Sequence, residues 1–193
     1  FHKPPGADFE VYNDFNSNLA NLYRCVRDKP AKLKYKLRYV LDSREDFEYL
    51  ALLHKRGILP RLYDVDRAAK FYQLIRYSYA SGLDSFGSQP HSMWSDFPMI
   101  DLAARRLQKV VVENKDFEKL IRQYDRPVSF FYCDPPYFAT ENYYKDVGFT
   151  AKDHIRLRDA LLDIKGRFLV SYNDCPEIRE IWPVSYTHLT LPT

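Results

Sequence analysis

Several protein classes are excluded by what this sequence lacks. No apolar run approaches the roughly 18 residues a membrane-spanning helix needs, and no leader-like segment opens the chain. A protein without a membrane partner is expected, working in the cytoplasm. Cysteine is scarce: Cys25, Cys133 and Cys175 are odd in number and far apart, with no C-x-x-C pair. A disulfide framework and a zinc cluster are therefore not indicated, and no metal is expected. Net charge is also small, at +3 over 193 residues. No internal repeat is visible. The 46% hydrophobic content is enough to bury a core as one domain, or one domain with a modest insertion.

The small net charge hides an uneven distribution. Residues 24–76 hold 14 Lys+Arg against 7 Asp+Glu, and the remainder holds 15 against 19. A basic segment inside a mildly acidic chain suits a polyanion surface, although a solvated helical face would look the same. Aromatic residues reach 16%, useful for stacking on bases and equally ordinary as core.

Pattern along the chain predicts the elements. Residues 9–14, FEVYND, read as a strand ending in polar groups. Asn16 can cap a helix with Leu19, Leu22, Tyr23 and Val26 on one face, which Pro30 ends. Ser43 and Asp46 form a possible capping box for a helix closed by Gly57. Residues 64–79 give another helix, and 80–98, rich in Gly, Ser, Pro and aromatics, a loop or hairpin. After residue 99 helices alternate with strands at 109–114, 127–133 and 167–174. Thr150 and Asp153 offer a second capping box. Strand–helix–strand repetition predicts an α/β fold with a doubly wound parallel sheet, whose apolar strands 109–114 and 127–133 are expected to be covered on both faces.

The most informative stretch is Asp134-Pro135-Pro136-Tyr137, directly behind the apolar strand PVSFFYC. Ligands gather at the carboxyl ends of parallel strands, where Asp134 is predicted. Pro135 and Pro136 lack N–H groups and fix φ, so they stiffen the loop. The carbonyls of Asp134 and Pro135 are left as acceptors without nearby donors. Tyr137 adds a flat face. A carboxylate, a carbonyl and an aromatic platform suit the exocyclic amine of a planar base such as adenine. The amine would donate to Asp134 and to the Pro135 carbonyl, and the base would stack on Tyr137. An adenine in a duplex must flip out to reach such a pocket.

With these motifs in order, the chain resembles a Dam-like DNA adenine-N6 methyltransferase of the alpha group, most closely the phage and prophage versions. The resemblance rests on EVYNDFNSNLANLYRCVRDKP, RAAKFYQLIRYSYASGLDSFG, VVVENKDFEKLI, YCDPPYF and FTAKDHIRLRDALLDIKGRFLVSYND. It implies a Rossmann-like sheet that binds S-adenosylmethionine, carrying a mostly helical target-recognition insertion at 31–98. Residues 1–30 and 99–182 would form the catalytic domain, as a monomer acting on double-stranded DNA. It implies that Asp14 holds the ribose of S-adenosylmethionine. Asp116 and Phe117 would lie beside its adenine ring, and Asp134 near its methionine part. Asp134, Pro135, Pro136 and Tyr137 would form the catalytic loop. Lys70, Arg76, Tyr77, Tyr79, Ser81 and Phe86 would contact DNA.

Two departures from the family pattern matter. Its glycine-rich first motif is absent, so weak binding of the methyl donor by this chain is expected. Residues 183–193 do not continue the pattern. A nucleic-acid-binding remnant without catalysis, or cytosine-N4 methylation, remain as alternatives. C5-cytosine chemistry needs a Pro-Cys nucleophile, and no Pro-Cys occurs. Of His154, His91 and His54, His154 lies in the first turn of a helix and reads as a surface or packing residue.

Overall fold

The computed structural model describes residues 9–79, 82–87, 91–138 and 148–183. The chain divides into two compact units, Phe1–Asn114 and Lys115–Thr193.

The first unit contains strand β1 (Glu10–Asn13) and helices α1 (Ser17–Asp28), α2 (Pro30–Leu37), α3 (Arg44–Lys55), α4 (Asp64–Tyr77) and α5 (Phe97–Leu107). Strand β2 (Val110–Glu113) closes it. Asn16 caps α1, its side chain accepting from the N–H groups of Asn18 and Leu19. Pro30 both follows α1 and opens α2, at a first-turn position where its missing N–H costs nothing. Ser43 caps α3 by accepting from Asp46 N at 3.3 Å. Helix α1 packs on α4 and α5, and α2 packs on α4. The resulting core is built on Leu33, Leu37, Leu59, Leu74 and Leu107, all fully buried. Each such side chain contributes about 2 kcal/mol of burial free energy. The segment expected as loop up to residue 98 ends earlier than that, in a 3-10 turn at Met93–Asp96 that leads into α5.

Strands β1 and β2 pair in parallel, with Glu10 opposite Val110 and Asn13 opposite Glu113. The ladder continues one step, Asp14 N–H donating to the Glu113 carbonyl at 3.4 Å. Parallel strands alternate the side to which each residue's polar groups point. Val110 and Val112 therefore turn their carbonyls away from β1. Two arginines of α1 meet them: Arg27 donates to Val110 O at 2.9 Å and Arg24 to Val112 O at 3.2 Å.

The second unit contains α6 (Phe117–Tyr124), β3 (Phe130–Cys133), α7 (Ala151–Leu162), β4 (Arg167–Val170) and α8 (Pro176–Ile181). Thr150 and Asp153 form the reciprocal capping box at the start of α7. Strands β3 and β4 pair in parallel, Phe130 opposite Arg167 and Cys133 opposite Val170. The turn into β4 is tied by the Asp125 carboxylate, which accepts from the N–H groups of Lys165 and Gly166 at about 3.0 Å. The core gathers Ile121, Leu157, Leu161, Ile178, Ile181 and Trp182.

The two strands expected to be covered on both faces differ. In β2, Val110 and Val112 are buried and the alternate residues half-buried. In β3, Phe130 and Tyr132 are 62% and 63% exposed, and Leu169 beside them on β4 is 46% exposed. Only the face bearing Phe131, Cys133, Phe168 and Val170 packs on the helices of its unit. Strand β3 also begins at Phe130 rather than 127, because Ser129 turns back, its hydroxyl donating to Tyr124 O at 2.6 Å.

Candidate active site

Strand β3 delivers Asp134 to its carboxyl end, as the apolar run predicts. Asp134 is exposed and Tyr137 is 41% exposed. Asp134 Oδ1 accepts from Ser171 Oγ at 2.5 Å. Two residues beyond Ser171, Asn173 accepts from the Phe138 N–H at 3.0 Å and donates its amide to the Phe138 carbonyl at 3.2 Å. Between these anchors lie Pro135, Pro136 and Tyr137. The loop thus presents an acidic side chain and an aromatic ring outward on a stiff frame.

Behind the loop, His154 is fully buried. Phe138, Phe149 and Tyr172 surround its ring at centroid distances of 5.3, 4.9 and 5.4 Å. Its Nδ1 lies 2.9 Å from the Tyr172 hydroxyl. The histidine is a packing residue of the aromatic bed under the loop, in keeping with its position in the first turn of α7.

Asp116 and Phe117 stand at the start of α6 in the same unit. Asp116 is the N-cap, accepting from Glu118 N at 3.1 Å. It also faces Arg156 at 3.2 Å, and that guanidinium lies over the Phe117 ring, 4.9 Å from its centroid. Arg156 further engages Glu118 and Asp153. These partners hold its guanidinium above the usual range, led by the bond to Asp153.

Asp14 belongs to the first unit, one residue beyond β1. Its carboxylate accepts from Asn16 N at 2.8 Å and from the Tyr12 hydroxyl at 3.1 Å. Burial raises its pKa above the ordinary carboxylate value, against the lowering effect of those two bonds. Two of roughly four acceptor positions are used, so the carboxylate retains capacity for a diol. Asn114, at the end of β2, donates to the carbonyls of Asp14 and Phe15 and fixes this corner. An acid at a parallel strand end with spare acceptors has the geometry to hold a vicinal diol.

The residues expected to contact DNA are not equivalent. Tyr79 is 71% exposed, its N–H donating to Ser85 O at 2.8 Å while Ser78 bridges Phe86. Leu83 has φ 64°, a left-handed conformation rare for a bulky side chain. Phe86 is half-buried, against Phe47 and under the Arg44 guanidinium. Tyr77 is a correction: it is 2% exposed, because it continues the buried face of α4 one turn after Gln73 and Leu74. Direct contact with DNA is not available to it. The exposed Arg76 points its guanidinium at the buried Asp96, Nε to Oδ2 at 3.0 Å, with His91 alongside. Lys70 lines a shallow groove with Tyr39, Leu41 and Tyr49. Ser81 lies outside the described residues.

Sequence reasoning missed Ser171 and Asn173. They read as the end of a strand, but β4 stops at Val170. Polar residues just past a parallel strand are the same signal that singles out Asp134, and applied to SYND it would have found them.

The geometry defines an α/β protein with an acidic, aromatic, proline-stiffened ligand loop at a strand end. Residues 8–190 match the family model described as D12 class N6 adenine-specific DNA methyltransferase, and the chain belongs to that family. It is 29% identical over 191 residues to a Type II methyltransferase, M1.LlaDCHI, of Lactococcus lactis subsp. cremoris. That similarity covers 88% of this chain and 66% of the relative, so the chain spans just under two thirds of the relative's length.

Proposed function

We propose that this chain is the catalytic part of a site-specific DNA methyltransferase acting on the N6 amine of a flipped-out adenine. The observation that carries the reading is the loop after β3. An exposed Asp134 and a partly exposed Tyr137 flank two prolines there, on a frame fixed at both ends. Asp134 Oδ1 is engaged by Ser171, which leaves Oδ2 for the incoming amine. One N6–H donates to that oxygen and the other to the Pro135 carbonyl, while the base stacks on Tyr137. These bonds draw the nitrogen lone pair out of conjugation with the ring and aim it. Catalysis of this kind is positioning and electrostatics.

S-adenosylmethionine, when bound, supplies an electrophilic methyl on its sulfonium. Asp14 would hold its ribose, and Asp116 and Phe117 would lie beside its adenine. In the same reading the two parallel pairs are parts of one Rossmann-like sheet, with the helical segment 31–98 as the target-recognition insertion on double-stranded DNA. Tyr79, Phe86 and Lys70 are the DNA contacts retained from the insertion. Arg76 would reach a phosphate only by leaving Asp96.

The test is methyl transfer to adenine-containing duplex by the intact protein and by Asp134→Ala. The substitution should abolish transfer and leave DNA binding largely intact. Transfer that survives it would show that Asp134 is not the acceptor of the amine.

A further inference from the structure

The loop that carries Asp134 and Tyr137 is poor in means of holding itself. Pro135 and Pro136 offer no N–H, so between Asp134 and Phe138 the main-chain donors are those of Asp134, Tyr137 and Phe138 alone. Fixation comes from outside, from the three residues that follow β4. Ser171 N–H donates to the Cys133 carbonyl at 3.0 Å and extends the strand ladder one step. Ser171 Oγ donates to Asp134 Oδ1 at 2.5 Å. The Asn173 amide closes a two-bond ring on the Phe138 main chain, at 3.0 and 3.2 Å. It pairs with Phe138 as a neighbouring strand would.

Alternation explains why these two residues act together. In extended chain, residues two apart share a side and the one between points opposite. Tyr172, between them, reaches the fully buried His154 at 2.9 Å. Its contact with the His154 ring, centroids 5.4 Å apart, seats the segment, and Ser171 and Asn173 are left facing the loop. Tyr137 is therefore bracketed by a fixed side chain on one flank and a fixed peptide group on the other.

We propose that Ser171 and Asn173 are positioning residues for methyl transfer: Ser171 selects the Asp134 rotamer, and Asn173 holds the main chain that aims Tyr137. This rests on the function proposed above. A serine hydroxyl has one donor, and spending it on Oδ1 leaves Oδ2 directed at the amine. Misplacement of a reacting group by about 1 Å costs on the order of a hundredfold in rate.

The experiment is steady-state kinetics on the intact protein with duplex DNA, joined to hydrogen exchange at the Phe138 amide. Ser171→Ala should lower kcat by about ten- to a hundredfold with KM for DNA and methyl donor nearly unchanged, the mark of an interaction that matters in the transition state. Ser171→Thr keeps the hydroxyl and should restore most of the rate. Asn173→Ala should lower kcat similarly and speed exchange of the Phe138 amide. Asn173→Asp keeps an acceptor for that amide, so it should retain the protection while losing the bond to the Phe138 carbonyl. Wild-type kcat in Ser171→Ala, no rescue by threonine, or unchanged Phe138 exchange in Asn173→Ala would each overturn the proposal. An inactive wild-type protein would overturn the functional reading and this one with it; active wild type with unaffected variants would overturn this one alone.

Discussion

Two glycines should respond differently to alanine, one with a loss of stability and the other without. A Cβ on Gly166 would meet Ser129 O at 2.5 Å and Arg126 O at 2.9 Å, both main-chain atoms, with Ser129 Cβ at 3.1 Å. None of these is the end of a flexible side chain, so the backbone itself must give. That backbone is where the β3–β4 ladder begins, with Arg167 N–H on Ser129 O at 2.9 Å. Overpacking of this kind costs about 1–3 kcal/mol. Replacing glycine returns about 0.4–1 kcal/mol through the unfolded chain. The net expectation for Gly166→Ala is a loss of up to about 2.6 kcal/mol, centred near 1 kcal/mol. Gly82 is the contrast. A Cβ there would approach Tyr79 O at 3.4 Å, an ordinary contact, and its φ is not in the left-handed region. Gly82→Ala should be neutral or gain up to about 1 kcal/mol. Urea unfolding reads the first effect conveniently, because Trp182 is buried against Phe168 in the same unit. With a slope of about 1–3 kcal/mol/M, the Trp182 midpoint should fall by roughly 1 M in Gly166→Ala. A midpoint equal to wild type would refute the steric argument, and so would a comparable loss in Gly82→Ala.

Two further outcomes follow from burial. Asp14 has a raised pKa, so its ionised form weakens the first unit progressively as pH rises through the carboxylate range. Asp14→Asn should therefore match wild type in stability at low pH and equal or exceed it near neutrality, while binding of S-adenosylmethionine falls; melting across pH and calorimetry would check both halves. The Cys133 thiol is pushed up to about 11 by burial. At pH 8 only about one thiol in a thousand is thiolate, so alkylation of Cys133 should be far slower than that of an ordinary exposed cysteine, as peptide mass mapping over time would reveal.

The legible parts of the fold were those set by local chemistry. Asn16, Ser43 and Thr150 stand at helix starts because a short polar side chain can satisfy the free N–H groups there, and that rule needs no tertiary information. The strand before Asp134 was readable from its apolar run. What the run could not say is how many faces are covered. FFYC and VVVE both lie in nearly continuous apolar runs, yet Phe130 and Tyr132 stand open while Val110 and Val112 are buried, because coverage depends on which helices arrive from elsewhere. The same limit governed Tyr77. Its motif suggested a DNA contact, and the helical phase that turns it inward is fixed by packing around Leu74. Asp134 was found from its own neighbours, whereas Ser171 and Asn173 bear on the loop across 37 and 35 residues of sequence.

Arg24 and Arg27 have a consequence for the behaviour of the molecule in company. Among the described residues β2 pairs with β1 alone, so its other side would expose the Val110 and Val112 carbonyls as a template for any extended peptide. The guanidiniums of α1 occupy both acceptors and bring positive charge to that edge. A strand from a neighbouring molecule would have to displace these arginines to reach either carbonyl. One helix thus supplies core with Leu22 and Val26 and, with the residues beside them, a guard against templated polymerisation.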